Sequence, residues 1–259
     1  MRLPLYQIDA FASRPFAGNP AAVVPLAAWL PDDLMQAIAA ENALSETAFF
    51  APEGDGHRIR WFTPACEVDL CGHATLASAF VYFTVLEPRR TSVTFQSRSG
   101  PLSVAREGEL LVLDFPSRPP VAAEPPQGLA EALGATPVAC WRARDLVAVL
   151  DSEATVRALQ PDLTALARFD EFAVIVTARG QEADFVSRFF APRKGVPEDP
   201  VTGSAHTTLV PFWAQRLGKT KLRALQVSPR GGELFCEARG ERVAIAGRAV
   251  KVLEGTFFL

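Results

Sequence analysis

The sequence is poor in the groups that bind structural metals or form cross-links. Its three histidines show no zinc-ligand spacing, which excludes a structural zinc site. The four cysteines stand at 66, 71, 140 and 236 with no Cys-x-x-Cys pair. That reads as free thiols in a cytoplasmic protein. There is no basic run: Arg89-Arg90 and Lys219-Thr220-Lys221 are short and separated, and the formal net charge is -3. Nucleic acid is thereby excluded as the main partner. No apolar stretch reaches the length of a membrane span, and the best candidate, residues 74–85, is too short. The first residues lack the apolar core of a secretory signal, so none is expected.

What is present is apolar. Of 259 residues, 49% are hydrophobic, enough for one large domain or two ordinary ones with a substantial core. The chain is organised around residues 62–75, Phe-Thr-Pro-Ala-Cys-Glu-Val-Asp-Leu-Cys-Gly-His-Ala-Thr. This reads as a strand end, an acidic turn, then Gly72-His73 opening a helix. The same order returns as Phe190-Ala191-Pro192, an acidic turn Glu198-Asp199, then Gly203-Ser204-Ala205-His206.

The elements around these points repeat too. Strands are expected over residues 3–11, 21–26, 45–50 and 58–63, the last after a Gly54-Asp55-Gly56 turn. A helix starts at Pro31-Asp32-Asp33, a second apolar helix spans 72–86, and three strands follow over 92–115. Prolines 116, 119, 120, 125 and 126 mark a linker. Beyond it, strands over 145–150, 171–177 and 184–190 surround a helix over 152–159 capped by Ser152. A matching buried helix over 203–217 precedes three strands over 222–246. Gly72-His73-Ala74 faces Gly203-Ser204-Ala205, and Ser97-Arg98-Ser99-Gly100 faces Ser228-Pro229-Arg230-Gly231, at one common offset. The fold class is therefore α+β, in two pseudo-repeated halves, each a mostly antiparallel curled sheet around a central helix. Residues 1–117, completed by 248–259, form the first half and 118–247 the second, with the active site expected in the cleft between them.

A helix start carries unpaired N–H groups and partial positive charge, and glycine allows close approach. Gly72-His73 and Gly203-Ser204 are thus candidate sites for a carboxylate or a developing enolate. The N–H groups near His73 predict a lowered pKa and a neutral imidazole. Desolvation predicts a raised pKa for Glu46, as suits a general acid/base. Cys71 invites comparison with two-thiol racemases, but no cysteine lies between residues 193 and 206 to partner it. Asp199, Ser204 and His206 do not form a hydrolase triad, because residues two apart on a helix do not face each other.

Several motifs together carry a resemblance: Asp9-Ala10-Phe11, residues 16–23 (Phe-Ala-Gly-Asn-Pro-Ala-Ala-Val), 44–49 (Leu-Ser-Glu-Thr-Ala-Phe), 70–79 and 198–206. The chain resembles the PhzF-like, or phenazine biosynthesis-like, family over nearly its whole length. The resemblance implies a diaminopimelate-epimerase-like fold, a homodimer and isomerisation of a small-molecule carboxylate without cofactor or metal. By the same resemblance, Glu46 is the acid/base, assisted by His73 and Asp199, while Asn19, Gly72, Gly203 and Ser204 bind substrate. The alternatives are an epimerase or racemase using Cys71, and a non-catalytic binding or regulatory protein with an inherited cleft.

Overall fold

The computed structural model describes residues 1–54 and 56–259; Asp55, within the expected turn, lies outside the described residues. The chain divides into two compact units, Met1–Asp114 with Ala246–Leu259, and Phe115–Ile245.

In the first unit, β1 (Arg2–Ala10) pairs antiparallel with β2 (Asn19–Pro25). Helix α1 (Asp32–Asn42) leads to β3 (Glu46–Glu53), which runs parallel to β2. β4 (Gly56–Phe62) returns antiparallel and turns into the short β5 (Glu67–Val68). Helix α2 (Gly72–Val81) crosses over to β6 (Ser92–Ser97), parallel to β4. β7 (Gly100–Glu107) and β8 (Leu110–Pro116) close the meander.

The second unit repeats this plan. β9 (Val121–Ala123) precedes α3 (Leu129–Leu133) and pairs antiparallel with β10 (Ala139–Arg142). β11 (Leu146–Val149) is antiparallel to β10, as β2 is to β1. Two short helices, α4 (Glu153–Ala158) and α5 (Leu163–Leu166), lead to β12 (Val174–Arg179), parallel to β11. Ser152 caps α4, accepting from the Thr155 N–H at 3.1 Å. β13 (Phe185–Ala191) returns antiparallel and turns into β14 (Val196–Asp199). Helix α6 (Gly203–Leu217) crosses to β15 (Lys221–Gln226), parallel to β13, and β16 (Gly232–Arg239) and β17 (Arg242–Gly247) follow. Finally β18 (Ala249–Phe258) returns to the first unit, antiparallel to β1 from Arg2↔Phe258 to Ala10↔Ala249. It stands to β1 as β9 stands to β10.

Helix α2 is buried almost all round, as small and apolar residues require of a helix enclosed by strands. Its two hydroxyls are satisfied locally: Thr75 and Ser78 donate to the Cys71 and Ala74 carbonyls at 2.6 and 2.8 Å. By contrast, α1 buries only Met35, Ile38 and Ala39. These join Val24, Phe49 and Phe62 in an apolar cluster of that unit. In α6, Pro211 cannot donate to the Thr207 carbonyl four residues back, and the Arg118 N–H bonds that oxygen instead at 2.9 Å.

Two expectations change. The second helix was expected to run to residue 86, but over Tyr82–Leu86 it widens into a π-turn. There Thr84 donates its hydroxyl back to the Phe80 carbonyl at 2.7 Å, and the Glu87 N–H closes on the Tyr82 carbonyl, five residues back. The proline-rich stretch expected as a linker carries β9. Its paired prolines flank this strand rather than interrupt its ladder.

The acidic turns are held by one device in both units. Arg60 on β4 reaches Glu67 on β5 with Nε–Oε1 2.7 Å and Nη2–Oε2 2.8 Å. Arg188 on β13 reaches Glu198 on β14 with the corresponding contacts at 2.7 and 2.9 Å. Each guanidinium also lies over the ring two residues on, Phe62 at 5.1 Å and Phe190 at 5.0 Å. Planar two-point pairing fixes both position and orientation. It thus anchors the short strands that deliver the chain to the starts of α2 and α6. No helix among the described residues is long and apolar enough to cross a membrane.

Candidate active site

Glu46 is the first residue of β3, Asn19 the first of β2, and Gly72 and His73 the first two of α2. The parallel β2–β3 register sets Ala21 beside Glu46, so both strands begin near the start of the helix. Asn19 is placed there by Gly18, whose φ is +66°. A Cβ on Gly18 would stand 2.1 Å from the Ala10 carbonyl oxygen, so this turn requires glycine.

The side chains meet at the helix start. Glu46 Oε2 lies 3.1 Å from His73 Nε2. On the other side of the ring, the Asn19 amide nitrogen is 3.2 Å and the Cys71 sulfur 3.5 Å from Nδ1. Asn19 is fully buried, Cys71 and His73 nearly so, while the Glu46 side chain keeps 18% exposure. The Asn19 amide holds both a donor and an acceptor. It can therefore serve either ring form, donating to a bare Nδ1 or accepting from Nδ1–H after a half-turn. Cys71, at the cap position of α2, makes no side-chain capping bond to its first turn.

Both pKa expectations reverse. Burial disfavours the His73 imidazolium, but the Cys71 sulfur and Glu46 carboxylate outweigh it and raise the pKa well above the usual histidine value. Burial likewise opposes charge on Glu46, but His73 outweighs it and the carboxyl pKa falls. The two form an ion pair, each keeping the other charged. The Cys71 thiol is pushed up to about 11 by burial and by the Glu46 charge, which together disfavour its thiolate.

In the second unit, the residues named from sequence take separate partners. Asp199, last in β14, accepts a short hydrogen bond from the Thr202 hydroxyl. Gly203 and Ser204 open α6, whose cap residue Thr202 makes no side-chain capping bond. The Thr202 N–H is taken by Gln226 Oε1 at 2.9 Å. Ser204 receives Arg144 Nη2 at 3.3 Å, and the same guanidinium pairs with Asp145 at 3.0 Å and lies over Phe172 at 4.3 Å. Sequence reasoning missed Arg144, which stands 60 residues from Ser204 and in no motif. His206 turns Nδ1 to the Thr202 carbonyl at 2.8 Å, so Asp199, Ser204 and His206 form no relay.

His206 is fully buried, its Nε2 makes no hydrogen bond, and burial depresses its pKa to about 4. The unfolded chain takes up this proton near pH 6.5 while the folded chain resists it. Stability from this residue is complete above about pH 6.5 and is lost as pH falls through about 4. Between pH 7.5 and 4.5 the expected loss is on the order of 2 kcal/mol. Denaturant unfolding of the wild type and His206→Gln at the two pH values checks this; an equal loss in both excludes His206 as its source.

A surface recess of about 430 Å³ in the first unit, lined by Phe80, Phe83, Arg106, Glu109 and Arg248 among others, shares no residue with the Glu46–His73 cluster. It holds an Arg248–Glu109 ion pair at 3.2 Å, which suits charge balance more than proton transfer.

The sequence profile of the phenazine biosynthesis-like protein family matches residues 8–255. An uncharacterized isomerase of Pseudomonas aeruginosa is 58% identical over 98% of each chain. The crystal structure of a PhzF-family phenazine biosynthesis protein from Enterococcus faecalis superposes with a TM-score of 0.98, at 48% identity over all of both chains. A hydroxyproline epimerase from Agrobacterium vitis, 10% identical, shares the fold alone, with a TM-score of 0.61 over 98% of this chain and 92% of that one. The doubled α+β plan is thus the diaminopimelate-epimerase-like fold. The chain belongs to the phenazine biosynthesis-like family and is an isomerase.

Proposed function

We propose that this isomerase moves a proton between two carbons of a small carboxylate, with Glu46 as the general acid/base. The observation that carries the reading is the Glu46–His73 pair, buried at a helix start with no side-chain cap. An ionised Glu46 takes a proton from a carbon beside, or conjugated to, the substrate carboxylate. The electron pair left behind delocalises into an enolate. The N–H groups at the start of α2 and the His73 imidazolium face that charge, the larger catalytic term in such sites. Protonated Glu46 then returns its proton to a second carbon, so atoms and charge balance with no other reactant. Asn19 holds the imidazole through Nδ1, as its 3.2 Å contact supports.

By equivalence of the two halves, Gly203 and Ser204 at the start of α6 bind a substrate anion, Asp199 keeps Thr202 in place, and Arg144 adds a cation beside Ser204. Charge-assisted hydrogen bonds contribute about 1.5–3 kcal/mol each. Arg144→Gln is therefore expected to raise KM about 10- to 100-fold while kcat changes less, read by steady-state kinetics. Unchanged KM excludes the arginine from carboxylate binding.

Deuterium uptake in D2O, read by mass spectrometry over a panel of small unsaturated, cyclic and amino carboxylates, tests the reaction class. Exchange at one carbon position of one compound supports carbon-acid chemistry. The Cys71 sulfur belongs to the same cluster, and an epimerase working through it is the second reading. Loss of exchange in Cys71→Ser with retention in Glu46→Gln would select that reading instead.

A further inference from the structure

The Glu46–Cys71–His73 cluster has a property that proton transfer does not use. It presents one oxygen, one sulfur and one nitrogen donor, all within 4.8 Å of one another. His73 Nε2 lies 3.1 Å from Glu46 Oε2 and 4.0 Å from Cys71 Sγ. A tetrahedral zinc ion, with bonds of about 2.0–2.2 Å to nitrogen and oxygen and about 2.3 Å to sulfur, sets N and O about 3.3 Å apart and N and S about 3.6 Å apart. These two spacings depart from those values by a few tenths of an ångström, and the sulfur lies within 4.8 Å of the carboxylate oxygen. Binding therefore calls for rotation of the Glu46 and Cys71 side chains toward the ion. The other ring nitrogen already meets the buried Asn19 amide, the kind of outer partner that fixes the orientation of a metal-binding imidazole. Three protein donors leave a fourth position open, as in accessible rather than closed zinc sites.

We propose that Glu46, Cys71 and His73 form an inhibitory site for a thiophilic divalent cation such as Zn²⁺, with Oε, Sγ and Nε2 as ligands. The cation displaces the thiol proton to solvent and any proton on Nε2 with it. A carboxylate held on the ion cannot take a proton from carbon. The inhibition rests on the reading of Glu46 as acid/base; the binding itself does not.

The test uses the intact protein and two probes, Zn²⁺ alone by equilibrium dialysis and Co²⁺ alone by its thiolate-to-cobalt charge-transfer absorption. Wild type is expected to hold one ion per chain and to show the band. Cys71→Ser and His73→Gln are each expected to weaken binding at least about 100-fold, because loss of a direct ligand exceeds the 10- to 100-fold effect of changing a group that only orients one. Cys71→Ser also abolishes the band, whereas Cys66→Ser, at an exposed cysteine, changes neither. Failure of wild type to retain zinc, or a band that survives Cys71→Ser, overturns the site. If Cys71→Ser fails to fold, Asn19→Ala provides a second reading, with weakened ion binding expected and unchanged binding counting against the site. Tight binding that leaves deuterium exchange untouched overturns the inhibitory role. The dialysis and absorption need no substrate, so they stand apart from any failure of the proton-transfer reading.

Discussion

Glu46→Gln is expected to lower turnover by about 10²- to 10⁴-fold while substrate affinity changes only a few-fold, the range general acid/base groups supply. The substitution keeps the shape and one acceptor oxygen of the side chain. It removes the ionisable oxygen that would carry the proton, and it removes the charge that keeps His73 protonated. Two effects therefore coincide: the proposed base is gone and the imidazole beside it loses its reason to be charged. Isotope exchange in D2O separates them from simple loss of binding. A Glu46→Gln protein that binds a substrate but exchanges no deuterium supports the assignment. One that exchanges near the wild-type rate removes Glu46 from the mechanism.

Much of this arrangement was legible in the chain because it is written in local pattern. The apolar run after Gly203 gave α6 its bounds, and the strands expected over residues 45–50 and 58–63 fell close to β3 and β4. What local pattern could not show were elements that exist only through partners. β5 is two residues long and β14 four, and each persists because an arginine on the neighbouring strand clamps its glutamate. β9 is likewise three residues between prolines, ordered by pairing with β10. The Glu46–His73 pair illustrates the same limit in electrostatics. Taken singly, His73 sits at a positive helix end and Glu46 in a desolvating place, and each reading favours the neutral form. Their 3.1 Å contact reverses both, and it links residues that only the β2–β3–α2 arrangement brings together. Arg144 was invisible for the same reason, since its relation to Ser204 is tertiary.

The clamps yield the largest expected loss of stability. Arg188 is 8% exposed, and its Nη1 donates to the Leu159 and Val156 carbonyls at 2.8 and 3.3 Å. Glu198 supplies the remaining two-point contact. Glu198→Ala leaves a buried guanidinium charge without its counter-ion, an error that costs about 3–5 kcal/mol. Glu67→Ala should cost less, about 1–2 kcal/mol, since Arg60 keeps Asp32 at 2.7 and 3.0 Å. Its side chain is also more open to water, 15% against 9% exposed. Urea unfolding of both variants gives the comparison directly. Equal losses would mean that Asp32 contributes nothing in the first unit. A loss below about 1 kcal/mol for Glu198→Ala would mean that water reaches Arg188 once the glutamate is gone. The expected asymmetry has a functional side, since β14 delivers Asp199 and the chain to the start of α6. If the start of α6 holds the substrate anion as proposed, a Glu198→Ala protein that still folds should bind it more weakly, whereas Glu198→Gln, which keeps the shape and one acceptor, should fall between it and the wild type on both counts.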